Sequence, residues 1–449
     1  MRSRLALHAA LFLVAATVAA CSSHETTCTG SCPDTGQPPS GPDASVTDGG
    51  VPPTMNDGAV ARPDMRSGGC CDMANPAGPW PTTDQIYGSA QGLDGEVFDA
   101  SPDDAQNIWA VAQGALYVMR PGTTTFKKFT AADGLHIQPF TDPDGHPATT
   151  WITAVAGGHA NEAFVGYYGY ESDNRLNDTV ANEELGQADK ITLNPDGTIS
   201  VLKYLFRCDH GSSWCWENRS VRRMLFAHQG VAAGHLFIGF DHGVTHVFND
   251  TFGDHIHCET WYHYPDGTIT EKIGEQFGLA LTPTGDLLEG SAYCSGLQSW
   301  NADPKAWVDG SFKWAFTTFT SDHALDVPAD YREDMRGAAV TPDGVVWLAS
   351  LTHGLVRWDP KSGTFSTIAG VSAAGLPSSG LMDMAADPDG TLWIVTMDGA
   401  LLRFNPATSS VTTQPNVSDV RRVVVDTTVV PRAVYVSLGG GGLAVLRAK

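Results

Sequence analysis

Eight of the fifteen histidines fall between residues 207 and 263: His210, His228, His235, His242, His246, His255, His257 and His263. The densest stretch reads Asp254-His255-Ile256-His257-Cys258-Glu259. On an extended strand His255 and His257, two residues apart, face the same side, and with Asp254 or Glu259 beside them they would offer the donor set of a zinc-type site. The competing reading is a polar, partly exposed insertion with Cys258 in a disulfide. That reading is adopted, so no metal and no cofactor are expected. The Asp-Pro-Asp-Gly stretches at 142–145 and 387–390 lack the third acidic position and closing Glu of a calcium loop and read as turns between strands. Gly-x-Ser-x-Gly, His-Glu-x-x-His and a phosphate-cradling glycine loop are absent. The four glycines at 439–442 precede a strand pattern rather than a helix, which makes them a tight turn.

Three arginines carry a stronger signal, and a repeat along the chain gives them their meaning. Residues 336–360 match residues 382–406, with Trp347 and Trp393 46 positions apart. Each unit reads as a strand, a Pro-Asp-Gly turn, a Trp-bearing strand, a Gly turn and an alternating third strand ending in Asp-Pro or Asn-Pro. A fourth strand then leads into a Gly-Leu pair such as Gly375-Leu376. A weaker copy runs from Glu96 through Trp109 to Gly134-Leu135. Three more start near Ile152, Arg223 and Phe277, with Phe164, Phe237 and Leu288 in place of the tryptophan, and the last starts at Arg421 and carries Tyr435 there. The last copy has only three strands, while residues 83–93 supply an orphan fourth-strand pattern ending in Gly92-Leu93. The expectation is an all-β, seven-bladed β-propeller of four-stranded antiparallel blades, closed by an N-terminal strand.

Counting five residues back from Ser101, Gly157, His228, Thr282, Thr341, Asp387 and Asp426 gives Glu96, Ile152, Arg223, Phe277, Arg336, Met382 and Arg421. These positions open the innermost strands and ring the mouth of the central channel. Arg223, Arg336 and Arg421 at matched positions form a local cationic ring suited to a small anionic or sugar ligand, with Glu96, Trp151 and Phe277 completing the site. Arg222 and Arg422 stand beside it. The other reading pairs these arginines with Glu96, Asp334, Asp383 and Asp419 in a neutral structural network.

Gly375-Leu376-Pro377-Ser378, Asp387-Pro388-Asp389-Gly390-Thr391-Leu392-Trp393, Gly399 and Arg403-Phe404 resemble the two-component-regulator propeller repeat, known from periplasmic sensor regions of hybrid histidine kinases and from secreted proteins. The resemblance is good over 331–410, fair over 92–135 and poor in the second to fourth copies. It implies a propeller and leaves activity open, since propellers host unrelated functions. A sensor-kinase role is not carried over. A binding module is expected rather than an enzyme. The alternative is a lyase or hydrolase on the same scaffold, similar to the seven-bladed streptogramin lyase, whose inter-blade Glu/His set is not recognisable here at matched positions.

The N-terminus states an address. Arg2 and Arg4 precede a 16-residue apolar run, Leu5 to Ala20, that reaches Cys21 through Val18-Ala19-Ala20. The run is shorter than the ~20 residues of a membrane span and reads as a secretion signal over residues 1–20. The small-small-Cys order resembles the bacterial lipobox, which implies lipidation of Cys21, a membrane anchor and an outer-membrane or periplasm-facing location. Residues 21–79 are rich in Gly, Pro, Ser, Thr and Asp and poor in large apolar groups, the composition of a disordered tether; the propeller is expected over 80–449. Nine cysteines less Cys21 leave eight in an oxidising compartment, with Cys208 and Cys215 the first candidates for a disulfide. A formal charge of −23, from 27 basic against 50 acidic residues, gives no basic field for nucleic acid. A monomer is expected, its partner an unknown small molecule or protein.

Overall fold

The computed structural model describes residues 85–112, 114–137, 139–141, 147–168, 188–204, 220–240, 243–252, 259–263, 269–273, 276–291, 296–299, 315–318, 335–359, 364–367 and 375–448. Short strands rich in Val, Leu, Ile and aromatics alternate with turns at Gly, Asp and Asn, and the result is an all-β propeller of four-stranded antiparallel blades. In chain order the innermost strands are Val97–Pro102, Trp151–Gly157, Val221–Phe226, Gln276–Leu281, Met335–Val340, Leu381–Ala386 and Val420–Asp426. Each begins a four-stranded sheet, numbered here 1 to 7. In sheets 1 to 6 the four strands follow one another in sequence. In sheet 7 the fourth place is taken by Gln85–Tyr87, which pairs antiparallel with the last strand, Ile86 opposite Ala444. Two extra hairpins, Pro139–Thr141 with Pro147–Thr149 and Glu259–His263 with Ile269–Ile273, are inserted before sheets 2 and 4.

Consecutive sheets are glued face to face. Trp109 of sheet 1 packs with Ile152 and Val165 of sheet 2, and Trp393 of sheet 6 packs with Val423 and Val434 of sheet 7. Tyr435 of sheet 7 shares a cluster with Ala110 and Tyr117 of sheet 1. The repeated tryptophan is held by a second device. Its indole N–H donates to a side chain six residues earlier: Trp109 to Asp103 at 3.0 Å, Trp347 to Thr341 at 3.2 Å and Trp393 to Asp387 at 3.3 Å. A large apolar ring is thereby buried without orphaning its one polar atom. Arg357 and Arg403 lie over the rings of Trp347 and Trp393.

The Gly-Leu signature has an equally local cause. Gly92 and Gly134 adopt left-handed backbone to end a short 3-10 turn, and Leu93 and Leu135 then drop into the cores between sheets. Close approach accounts for two more glycines. A Cβ on Gly278 or Gly337 would lie within 2.8 Å of the backbone of the next inner strand, so sheets 4, 5 and 6 meet there main chain to main chain.

Candidate functional site

All seven inner strands carry a β-bulge at the same place. The pairing slips between Val97 and Asp99, Ile152 and Ala154, Val221 and Arg223, Gln276 and Gly278, Met335 and Gly337, Leu381 and Asp383, and Val420 and Arg422. A bulge leaves one residue unopposed and re-aims its side chain. The bulged residues are therefore the true matched ring: Phe98, Thr153, Arg222, Phe277, Arg336, Met382 and Arg421. Each is partly or well exposed, whereas the residue after it is buried in six of the seven sheets.

This register corrects the sequence count in sheets 1 to 3. Arg222, not Arg223, stands level with Arg336 and Arg421, and Glu96 lies two residues ahead of its sheet's bulge. The miscount came from the anchors, since Asp103, Gly158 and Ala227, rather than Ser101, Gly157 and His228, follow the bulged residue by five. The spacing of Asp103 to Trp109, identical to that of Asp387 to Trp393, was the available signal for sheet 1.

One residue further along, Asp99, Arg223, Asp383 and Arg422 form a charge-balanced layer across the channel. Arg223 Nη1 meets Asp383 Oδ2 at 3.1 Å, and Arg422 Nη1 meets Asp99 Oδ2 at 2.7 Å. Asp383 also accepts the backbone N–H of Val423, Asp99 accepts that of Val155, and Arg422 donates to the carbonyl of Arg222. Burial opposes the charge on Arg223, but Asp383 and Asp99 outweigh it and hold the guanidinium above its ordinary range. Arg223 is thus paired inside the scaffold, as the neutral-network reading expected for it.

The exposed ring is built differently. Trp151 stacks on Tyr168 with ring centroids 4.2 Å apart. The guanidinium of Arg222 lies 5.4 Å from the Tyr168 ring and 5.6 Å from that of Phe277, and Arg336 covers Phe277 at 3.8 Å. Aromatic and cationic groups therefore alternate over sheets 2, 3, 4 and 5. Arg421 completes the ring in sheet 7, held by Glu96 at 2.8 Å and Asp419 at 3.3 Å. Counting arginines alone missed Tyr168 and the stacking that links it to Arg222.

The acidic turn at 387–390 is occupied by the protein itself, and 142–145 lies outside the described residues. Asp389 receives Thr391, Arg403 and Arg432, while Asp387 receives Trp393 and Arg432. Among the described residues no group of three or more His, Cys, Asp or Glu is placed to hold a metal ion. His255, His257, Asp334, Cys21, Cys208 and Cys215 lie outside the described residues, as do the remaining cysteines. Among the described residues no helix is long and apolar enough to cross a membrane.

No family model matches the chain, and no curated protein matches it in sequence. Among solved structures it is similar to the extracellular domain of BT3049 from B. thetaiotaomicron, assigned to the hybrid two component systems. Identity is 14% and the TM-score 0.50, over 82% of this chain and 42% of that one. It is also similar to YCF48 bound to a D1 peptide, at 15% identity and a TM-score of 0.48 over 84% of this chain and 97% of that one. A third similar structure is PorZ, a surface component of the type-IX secretion system of Porphyromonas gingivalis, at 16% identity and a TM-score of 0.47 over 83% and 38% of the two chains. The match spans less than half the length of the BT3049 and PorZ chains. At these identities the likeness is one of fold alone.

Proposed function

We propose that this chain is an extracytoplasmic, lipid-anchored β-propeller that acts as a binding module and takes a small anionic or acidic-sugar ligand on the arginine-and-aromatic mouth. The observation that carries the reading is the alternation of Trp151, Tyr168, Arg222, Phe277 and Arg336 across four consecutive sheets. A guanidinium stacked on a ring is fixed in orientation, and its N–H groups point along the edge, where a planar carboxylate is received. Trp151, 41% exposed, offers an apolar platform to a sugar face. In a chain of formal charge −23, a cationic mouth distinguishes this surface from the rest. Arg223 and Arg421, already matched by carboxylates, serve as scaffold.

The seven sheets form, in this reading, a seven-bladed ring clasped by Gln85–Tyr87, built from the two-component-regulator type of repeat. Residues 21–79 tether the ring to lipidated Cys21 at the outer membrane or in the periplasm. The test of the ligand is mass spectrometry on protein purified from its native host. An acidic compound should co-purify with the wild type and be lost from an Arg336→Ala variant, whereas equal recovery from both refutes the mouth. For the anchor, Cys21→Ser should move the protein from the membrane to the soluble fraction.

A further inference from the structure

At the ends of the inner strands away from the mouth, a residue of the following sheet can close the junction between two sheets. Four places past the bulge, Gly157 pairs with Ala163, Ala386 with Leu392 and Val425 with Val434. Two residues ahead of each partner stand Asn161 in sheet 2, Gly390 in sheet 6 and Arg432 in sheet 7. Asn161 donates its N–H back to Asp103 Oδ2 of sheet 1 at 3.0 Å. Arg432 reaches back to sheet 6, its Nη2 2.7 Å from Asp387 Oδ1 and 3.3 Å from Asp389 Oδ2. Gly390 has no side chain to send toward sheet 5, and an open groove of about 520 Å³ lies there between sheets 5 and 6. Asp343, Trp347 and Arg357 line it on one side and Gly390, Phe404 and Asn405 on the other.

The acceptors of the two junctions correspond as well. In sheet 5 the counterparts of Asp387 and Asp389 are Thr341 and Asp343, as the shared Pro-Asp-Gly turn shows. Oδ1 of Asp343 takes the Thr341 hydroxyl at 2.7 Å and the Val345 N–H at 3.3 Å, much as Oδ1 of Asp389 takes the hydroxyl and N–H of Thr391. Oδ2 of Asp389 receives Arg403 and Arg432. Oδ2 of Asp343 has no partner among the described residues. Arg357, the counterpart of Arg403, lies over the Trp347 ring, 6.0 Å from its centroid. The space and the acceptor that Arg432 uses in one junction are therefore both open in the junction before it.

We propose that the groove between sheets 5 and 6 is a docking site for an arginine side chain of a protein partner, whose guanidinium meets Asp343 as Arg432 meets Asp389. The protein itself supplies the precedent, since Arg432 shows that a guanidinium and its stem fit between consecutive sheets at this place. An open carboxylate oxygen asks for a cation, and the planar N–H fork of arginine matches a carboxylate where a lysine ammonium offers a point charge. The apolar stem has Phe404 and the edge of the Trp347 side to lie against. A formal charge of −23 draws a basic partner toward the chain. The groove lies at the opposite ends of the inner strands from Arg222 and Arg336, and the proposal does not rest on the ligand assigned to the mouth.

The experiment titrates the full chain with acetyl-arginine amide and with acetyl-citrulline amide, its uncharged isostere, by isothermal calorimetry at pH 7. The arginine compound should bind saturably and more tightly than the citrulline compound. Asp343→Asn, which keeps an Oδ1 for Thr341 and Val345 and removes the charge, should weaken it by roughly 3- to 10-fold and leave citrulline unchanged. Gly390→Arg supplies from sheet 6 the side chain that sheet 7 has at Arg432, and should abolish binding of both. The place tolerates a side chain: a Cβ on Gly390 meets no atom within 4 Å, and its left-handed φ of 83° is close to the 63° of Gln106 and 65° of Asn161, which hold the same position in sheets 1 and 2. Should Gly390→Arg not fold by circular dichroism, Gly390→Gln, the residue sheet 1 has there, is measured instead with the same expected loss. Arg336→Ala at the mouth should leave arginine binding unchanged. Absence of saturable arginine binding to the wild type, equal affinity for arginine and citrulline, or arginine binding untouched by Asp343→Asn or by filling position 390 overturns the proposal.

Discussion

Glu289 gives the sharpest energetic prediction of the fold. It sits in the second strand of sheet 4, opposite Leu279 and Gly296, with no exposed surface, and both carboxylate oxygens lack a partner among the described residues. Leu287, two residues away on the same face, packs with Leu279, Phe237 and Val244. Burial in these surroundings pushes the carboxyl well above its ordinary range. A raised acid holds its proton in the folded state while the unfolded chain releases it. Stability is therefore fully present below the unfolded value and falls as pH rises above it. The loss begins above roughly 4.3 and grows with pH, by at most about 1.4 kcal/mol per unit, for as long as the folded group keeps its proton. Glu289→Gln keeps the size and polarity and removes the titration. In urea unfolding followed by tryptophan fluorescence at pH 5, 6 and 7, the Gln variant should gain on the wild type as the pH rises, by up to about 1.4 kcal/mol per unit, and Glu289→Leu should gain further by deleting the unmade hydrogen bonds. A difference independent of pH, or a Gln variant less stable than wild type at pH 7, refutes the reasoning.

Asp103→Ala removes the acceptor of Ala105, Asn107, Trp109 and Asn161, and should lower stability by about 3 kcal/mol or more in the same assay, because buried donors are left unmet. Asp383→Asn removes the carboxylate paired with Arg223, leaving only Asp99 nearby, and should cost about 3 kcal/mol, with Asp383→Asn plus Arg223→Met recovering part of the loss. Deleting residues 83–93 should lower the unfolding midpoint by an amount equivalent to several kcal/mol, since it strips Gln85–Tyr87 from the last sheet and Leu93 from the core it shares with sheet 1. Deleting 22–70 should leave it unchanged.

How much of this was legible beforehand depends on the layer. The period of about 46 residues, the tryptophan-bearing second strands and the Gly-Leu pairs announced repeated four-stranded sheets because each has a local cause: an indole anchored six residues back, a left-handed glycine, a leucine between sheets. The pairing of Ile86 with Ala444 is carried by a short strand whose pattern, ending in Gly92-Leu93, repeats that of the other fourth strands. The ring positions were only half legible. A bulge adds one residue without leaving a mark in composition, so a count anchored at His228 instead of Ala227 put Arg223 where Arg222 belongs. Pairing between distant sheets, as in Arg223 with Asp383 160 positions later, is a tertiary contact that no local pattern announces. Glu289 looked like an ordinary acidic residue in a strand, since its burial is set by sheet 3.

The central claim, an anion-selective mouth built on Arg336 and Phe277, is tested most directly by calorimetric titration of the full chain with glucuronate and, in parallel, glucose. The account predicts that glucuronate binds more tightly than glucose and that added salt weakens it. Arg336→Ala should weaken glucuronate roughly 10- to 150-fold without moving the unfolding midpoint by more than a few degrees. Equal affinity for the acid and the neutral sugar, or glucuronate binding untouched by Arg336→Ala, would contradict it.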